Sequence, residues 1–219
     1  MIEVARALAE SGCKLKYSVI FVAFDKEEVG SQGSHEFVRS YLVPKYFKGK
    51  KWPEFQGALI LDTLMNFNVT KGSQTFPEVW RDKISGDAYE KTKADEFQGN
   101  FIALISREGP ERELADLIEK HWNKLADDKF YLEQVDKHAK RFVLMTSWDR
   151  ACVSMIIFRF KMRRLTINLG ENLPSTHELT DHLNFLRSDH ARFWYSNETN
   201  YQMSLRSVLF TDTGDTFIN

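Results

Sequence analysis

Four apolar runs constrain this chain more than anything else in it. Val19-Ile20-Phe21-Val22-Ala23-Phe24 places six apolar residues in a row; Gly57-Ala58-Leu59-Ile60-Leu61 and Phe101-Ile102-Ala103-Leu104-Ile105 follow, and Ser207-Val208-Leu209-Phe210-Thr211 comes late. A half-exposed strand alternates polar and apolar residues, whereas an uninterrupted run must bury both faces. Helical spacing fills the intervals. Val4, Ala5 and Leu8 share one face of residues 2–10, before Ser11-Gly12; Phe37, Val38, Tyr41 and Leu42 share another, in a helix expected to stop at Pro44. Leu114, Leu117, Ile118, Trp122 and Leu125 line a third. Strands alternating with helices predict an α/β fold: a three-layer α/β/α domain around a central mixed, mostly parallel sheet.

At 219 residues the chain suffices for one domain, read here as residues 1–219. Two stretches break the rhythm. Residues 63–99 read as an irregular connection with short local helices. Residues 142–169 read as an atypical insert: a core strand (Val153 to Phe158) followed by a solvated basic flank of Arg159, Lys161, Arg163 and Arg164. With 30 Lys plus Arg against 31 Asp plus Glu, the net charge of −1 gives no field to recruit nucleic acid or an anionic membrane, and neither is expected as a partner. No stretch is long and apolar enough for a transmembrane helix, and no signal peptide opens the sequence. Cys13 and Cys152 stand far apart without CxxC spacing, which excludes a disulfide framework and a thiolate zinc site. Oligomeric state is not encoded in these features.

Acidic residues follow the apolar runs: Asp25, Glu27 and Glu28 after the first, Asp62 after the second, Asp212 after the last. In an open α/β sheet ligands bind outside the carboxyl ends of strands, so these acids are candidates for one crevice. A single carboxylate there is commonly a turn former or helix cap. Adjacent Glu27 and Glu28 are harder to explain that way, because two like charges at the lip of a core repel unless a cation or proton is shared.

The segment Phe21-Val22-Ala23-Phe24-Asp25-Lys26-Glu27-Glu28-Val29-Gly30-Ser31-Gln32-Gly33-Ser34 resembles the strand and double-glutamate motif of the zinc-dependent aminopeptidases with two metal ions. That superfamily also includes glutamate carboxypeptidase II, the glutaminyl cyclases and the transferrin receptor ectodomain. Gly57 to Asp62, Phe185 to Trp194 and Val208 to Thr213 continue the likeness in the family's order. The resemblance implies a zinc-peptidase fold and two zinc ions. Glu27 would be the general base, Glu28 a ligand of one ion and Asp62 a ligand of the other, acting on a peptide substrate. Asp189 and His190 would contact substrate or support the ligands. The chemistry needs such a division, since a carboxylate beside the metal can take a proton from water while ligands leave a position open.

The departures are equally specific. The family's His-x-Asp segment and bridging Asp have no counterpart before Glu27, because residues 1–18 contain neither His nor Asp, and the ligand His expected after the last strand is missing. Three of the family's five ligands are thus absent, and the chain reads as a domain truncated at both ends, inactive alone. His35, His121, His138, His177 and His182 do not compensate by spacing. Three functions compete: zinc exopeptidase, non-catalytic scaffold or binding domain, and glutaminyl cyclase-like acyltransferase. Two acceptor sequons, Asn68-Val69-Thr70 and Asn197-Glu198-Thr199, together with the habits of the resembled animal enzymes, imply an extracellular or secretory location for the parent protein.

Overall fold

A computed structural model describes residues 1–47, 55–64, 66, 68–74, 78–125, 161–170, 183–196 and 204–212. Expectations for Cys152, Val153 to Phe158, Arg159, Asn197, His138, His177 and His182 fall outside these residues.

Five strands form one sheet: β1 (Ala58–Asp62), β2 (Ile84–Ser85), β3 (Phe101–Arg107), β4 (Lys161–Ile167) and β5 (Ser207–Asp212), in the order β1-β5-β3-β4-β2. β1 runs parallel to β5 and β3 parallel to β4; the β3–β5 and β4–β2 pairings are antiparallel. The parallel ladders are the longer ones, so the sheet is mixed and mostly parallel, with helices supplying the α/β class.

Packing follows from the apolar runs. All seven residues of β3 are buried, as an uninterrupted apolar segment requires. Its odd positions Phe101, Ala103 and Ile105 join Leu165, Ile167, Trp194, Leu205 and Leu209 in the main core, which Val38 and Leu42 reach from the helical segment before β1. Its even position Leu104 faces the other way, onto Ala115 of α6 (Arg112–Leu125) and Val208, with Leu114 and Ile118 alongside. Each buried Leu or Ile contributes about 1.5–3 kcal/mol, enough to fix which face of the strand meets which layer. The remaining helices are α1 (Ile2–Glu10), α2 (Gln32–Glu36), α3 (Val43–Tyr46), α4 (Glu78–Lys83), α5 (Ala88–Ala94) and α7 (His190–Trp194). None of the described helices is long and apolar enough to cross a membrane.

Four sequence expectations need correction. β1 stands where its apolar run predicts, but as the edge strand it is buried on one face only, with Leu59 and Leu61 exposed. The run Val19 to Phe24 is not a strand; it has no regular secondary structure, and Val19, Ile20 and Phe21 are exposed. Apolar content alone does not make a strand: the run joins no ladder, and the sheet ends at β1, whose one strand neighbour is β5. Only the end of the run is anchored, by Phe24 against Phe37 and Phe193 at 5.6 and 6.3 Å. Nor does Pro44 stop a helix. Between α2 and α3, Phe37–Leu42 forms a π-helical stretch, in which the Val43 N–H reaches back five residues to the Val38 carbonyl, and Pro44 falls in the first turn of α3. A proline has no N–H to give, and widening the preceding turn lets the chain continue past it. Finally, Lys161, Arg163 and Arg164 are part of β4 itself, and of the three only Lys161 is exposed. Arg163 is buried and pairs with Asp95, which also takes Lys161 at 2.8 Å, while Arg164 reaches Asp116 and Glu119 on α6. The strand can carry these cations because the helix and turn packed beside it supply carboxylates.

Candidate functional site

The double glutamate sits on a tight turn. Gly33 N–H donates to the Asp25 carbonyl at 3.0 Å, Gln32 N–H to Lys26 at 3.2 Å, and Ser31 and Gly30 N–H both to Glu27, at 2.8 and 3.0 Å. These bonds fold residues 25–33 back on themselves. The crossing is so close that a Cβ on Gly33 would lie 2.4 Å from the Asp25 carbonyl oxygen, which only glycine avoids. Lys26 and Ser31, on either side of the glutamates, hold positive φ of 57° and 52°. Left-handed backbone at non-glycine residues costs about 1–3 kcal/mol each, so the turn is kept against local preference. Arg192 of α7 clamps it from outside, donating to the Gly30 carbonyl at 2.6 Å.

Asp62 closes β1, followed by Thr63 at φ 46°. The Thr63 carbonyl accepts from Asp212 N–H at 2.7 Å, its hydroxyl meets that of Thr211 at 2.9 Å, and the Asp212 carboxylate is taken by the Asn66 backbone and side chain. Asp212 is therefore a buried anchor for the connection leaving β1. Asp62, one register step away, is left partly open.

Electrostatics show what the fold brings together. Glu27 is pushed up to about 7, first by burial, then by the charges of Asp62, Glu28 and Asp189, with Arg187 opposing. Asp189 is also raised, by burial and by Asp62, while Ser34 and Arg192 work the other way. Its Oδ1 is buried and finds no hydrogen-bond partner among the described residues. The charges of Asp62, Glu28 and Asp189 all act on Glu27, so these carboxylates form one acidic cluster, the candidate crevice, with Glu28 its exposed member. A carboxyl holding its proton up to about pH 7 can exchange it with a substrate at neutral pH.

His190 goes elsewhere, although it adjoins Asp189. Fully buried, it bonds through Nε2 to the Phe185 carbonyl at 2.7 Å and packs edge-on to Trp194 at 4.5 Å. A carbonyl only accepts, so Nε2 carries the proton and Nδ1, without a partner among the described residues, is bare. Burial, and then Arg107, lower the imidazole to about 4. Arg107 itself is buried at the end of β3, its Nε and Nη2 donating to both Glu111 oxygens at 2.8 and 2.6 Å, its Nη1 to the Gly170 carbonyl at 3.2 Å, and its guanidinium over Trp194 and Tyr195.

Sequence reasoning passed over Ser34, Arg187 and Arg192. A signal existed for the arginines: both flank Asp189 within the quoted motif, and Arg192 is three positions on, the spacing that puts two residues on one side of a helix. Among the described residues no three His, Cys, Asp or Glu side chains are placed to hold one metal ion. His35 lies in α2, and His121 is exposed on α6.

No curated protein and no solved structure matches the chain. A family model does: Peptidase family M28 matches residues 1–129, a span that contains the double-glutamate turn, Asp62 and β3, with Asp189 outside it.

Proposed function

The chain belongs to peptidase family M28 and is a zinc metallopeptidase-like domain, and on that premise we propose that its acidic crevice is the site of an aminopeptidase that hydrolyses N-terminal peptide bonds. Glu27 is the proton acceptor, Glu28 and Asp62 are ligands to different zinc ions, and Asp189 faces the peptide. The observation that supports this reading is the mutual charge influence of Glu27, Asp62 and Asp189, which come from three separate segments, with positive-φ backbone beside Glu27 and Asp62. Burial and three neighbouring carboxylates raise the proton affinity of Glu27, which suits it to take a proton from an attacking water and return it to the departing amine.

The zinc fit is incomplete. A catalytic zinc takes about three protein ligands, and the crevice offers one carboxylate for each ion. The described residues add no third donor to either. On the donors that the described residues offer, weak zinc binding and negligible turnover are what this reading expects of the chain by itself. The same shortfall favours a second reading, a non-catalytic domain that keeps the scaffold. Metal analysis of the purified chain after zinc loading, paired with an aminoacyl chromogenic substrate, tests the shortfall that both readings share. Negligible turnover and no stoichiometric zinc are expected. Two retained zinc ions with turnover abolished by Glu27→Gln would show the chain to be a complete peptidase, and one retained ion would point to the cyclase-like chemistry instead.

A further inference from the structure

We propose that Asn68 is an N-glycosylation acceptor, carrying an oligosaccharide on its side-chain nitrogen when the chain is delivered to a secretory lumen. The inference is independent of whether the acidic crevice is active. Asn68-Val69-Thr70 supplies the acceptor triplet, with no proline in the middle position. A triplet alone is common by chance; its setting in the fold carries the argument.

All three residues are exposed, Val69 by 58%. The backbone around them is fixed: Asn68 N–H donates to the Gly99 carbonyl at 2.9 Å, and the Ser73 hydroxyl donates to the Asn68 carbonyl at 3.1 Å while accepting from Gly99 N–H at 3.0 Å. The Asn68 side chain uses only its oxygen, which accepts from Thr70 N–H at 2.9 Å. That bond closes the triplet into a turn. The amide nitrogen has no hydrogen-bond partner among the described residues, so substituting it removes no bond from the fold. Asn66, two positions earlier, makes the contrast: its side-chain nitrogen and its backbone are both committed to Asp212. A sugar on Asn68 would stand on the connection that leaves the sheet at Asp62 and would cover exposed Val69.

The reaction balances with one co-reactant, an oligosaccharide joined through its reducing end to a polyprenyl diphosphate. The anomeric carbon forms a bond to Asn68 Nδ2, the bond from that carbon to the phosphate oxygen breaks, the polyprenyl diphosphate leaves with the electron pair, and Nδ2 gives up one proton. The mature residue is uncharged, bulky and solvated, which an exposed turn accommodates and a core does not.

The full chain behind a cleavable secretion signal, expressed in a eukaryotic secretory host with Asn197→Gln to silence the other sequon, tests the proposal. Intact mass is read before and after peptide N-glycosidase, on retained and secreted protein together, so that a chain held back for misfolding still reports. One glycan is expected, lost completely in Asn68→Gln and in Thr70→Ala and kept in Thr70→Ser. Signal-cleaved protein with an unmodified Asn68, or a glycan that survives Asn68→Gln, would overturn it.

Discussion

Two ends of the same sheet treat charge in opposite ways. Where β3 ends, Arg107 and Glu111 are fully buried, bonded through two parallel contacts, and walled by Trp194, Tyr195 and His190. Where β1 ends, Glu27, Asp62 and Asp189 crowd together with Arg187 and Arg192 as partial compensation. The first arrangement pairs and hydrogen-bonds its charges, although burial still raises Glu111 against the pull of Arg107; the second leaves like charges facing each other, and their repulsion adds to burial in raising Glu27. A protein optimised only for stability would not build the second, which is why that edge, and not the buried pair, is the place to look for chemistry.

The largest effect expected on this contrast comes from breaking the satisfied end. Arg107→Met leaves Glu111 buried without its partner and should cost about 3–5 kcal/mol in urea unfolding, most of it recovered when Glu111→Leu is added. A cost below 1 kcal/mol would mean that the pair is not the structural counterweight described. His190 comes next. Its folded pKa of about 4 lies below the ordinary 6.5, so the fold favours the neutral ring, and that stability is present above pH 6.5 and lost as pH falls toward 4. The loss should approach roughly 3 kcal/mol, and His190→Phe should flatten that part of the pH profile whatever its baseline cost.

At the acidic end the effects are smaller. Gly33→Ala sets a methyl against the Asp25 backbone and should destabilise by about 1–3 kcal/mol, with faster amide exchange confined to residues 25–33. Glu27→Gln should act in the opposite sense. The folded pKa of Glu27 is raised to about 7, so its favourable contribution is complete below pH 4.5 and gone as pH rises through 7. Because the group keeps access to solvent, the variant should gain less than about 1 kcal/mol over the native chain at pH 8, with no difference at pH 4. Destabilisation by Glu27→Gln at pH 8 would remove the idea of unrelieved repulsion at this edge.

Much of the fold was legible because burial on both faces leaves a trace: β3 and β5 are buried almost throughout where uninterrupted apolar runs predict it, whereas β1 forms where its run predicts but leaves Leu59 and Leu61 exposed, and α6 forms where apolar residues recur at helical spacing although Leu117 stays exposed. The run Val19 to Phe24 shows the limit of that trace, since the same composition says nothing about whether a neighbouring strand is there to pair. Lys161, Arg163 and Arg164 show the converse, a strand hidden under charges whose partners, Asp95, Asp116 and Glu119, lie far away in sequence. At the site, position after a strand identified Asp62, and the doubled glutamate identified the turn. What local pattern could not supply was allegiance: Asp189 joins the crevice while its neighbour His190 turns to Phe185 and Trp194, and Asp212, equally well placed at a strand end, is spent on Asn66.

The pairing of β1 with β5 has a consequence for the order in which the molecule can assemble. Ala58 meets Ser207, and the Thr63–Thr211 contact spans 148 positions of chain. Closing a loop of that length carries an entropic cost and cannot happen during synthesis until the chain through β5 has emerged, whereas the π-helical segment and α6 can form from neighbours. Asp62 is held where it is by that late docking, and Asp189 lies on the segment that accompanies it through the Trp194 bond to the Ser207 carbonyl at 2.8 Å. The double-glutamate turn, by contrast, closes over nine residues. The crevice is thus completed last, by the arrival of distant chain at a turn that was already made, and any ligand that steadies this edge would act on the final step of folding.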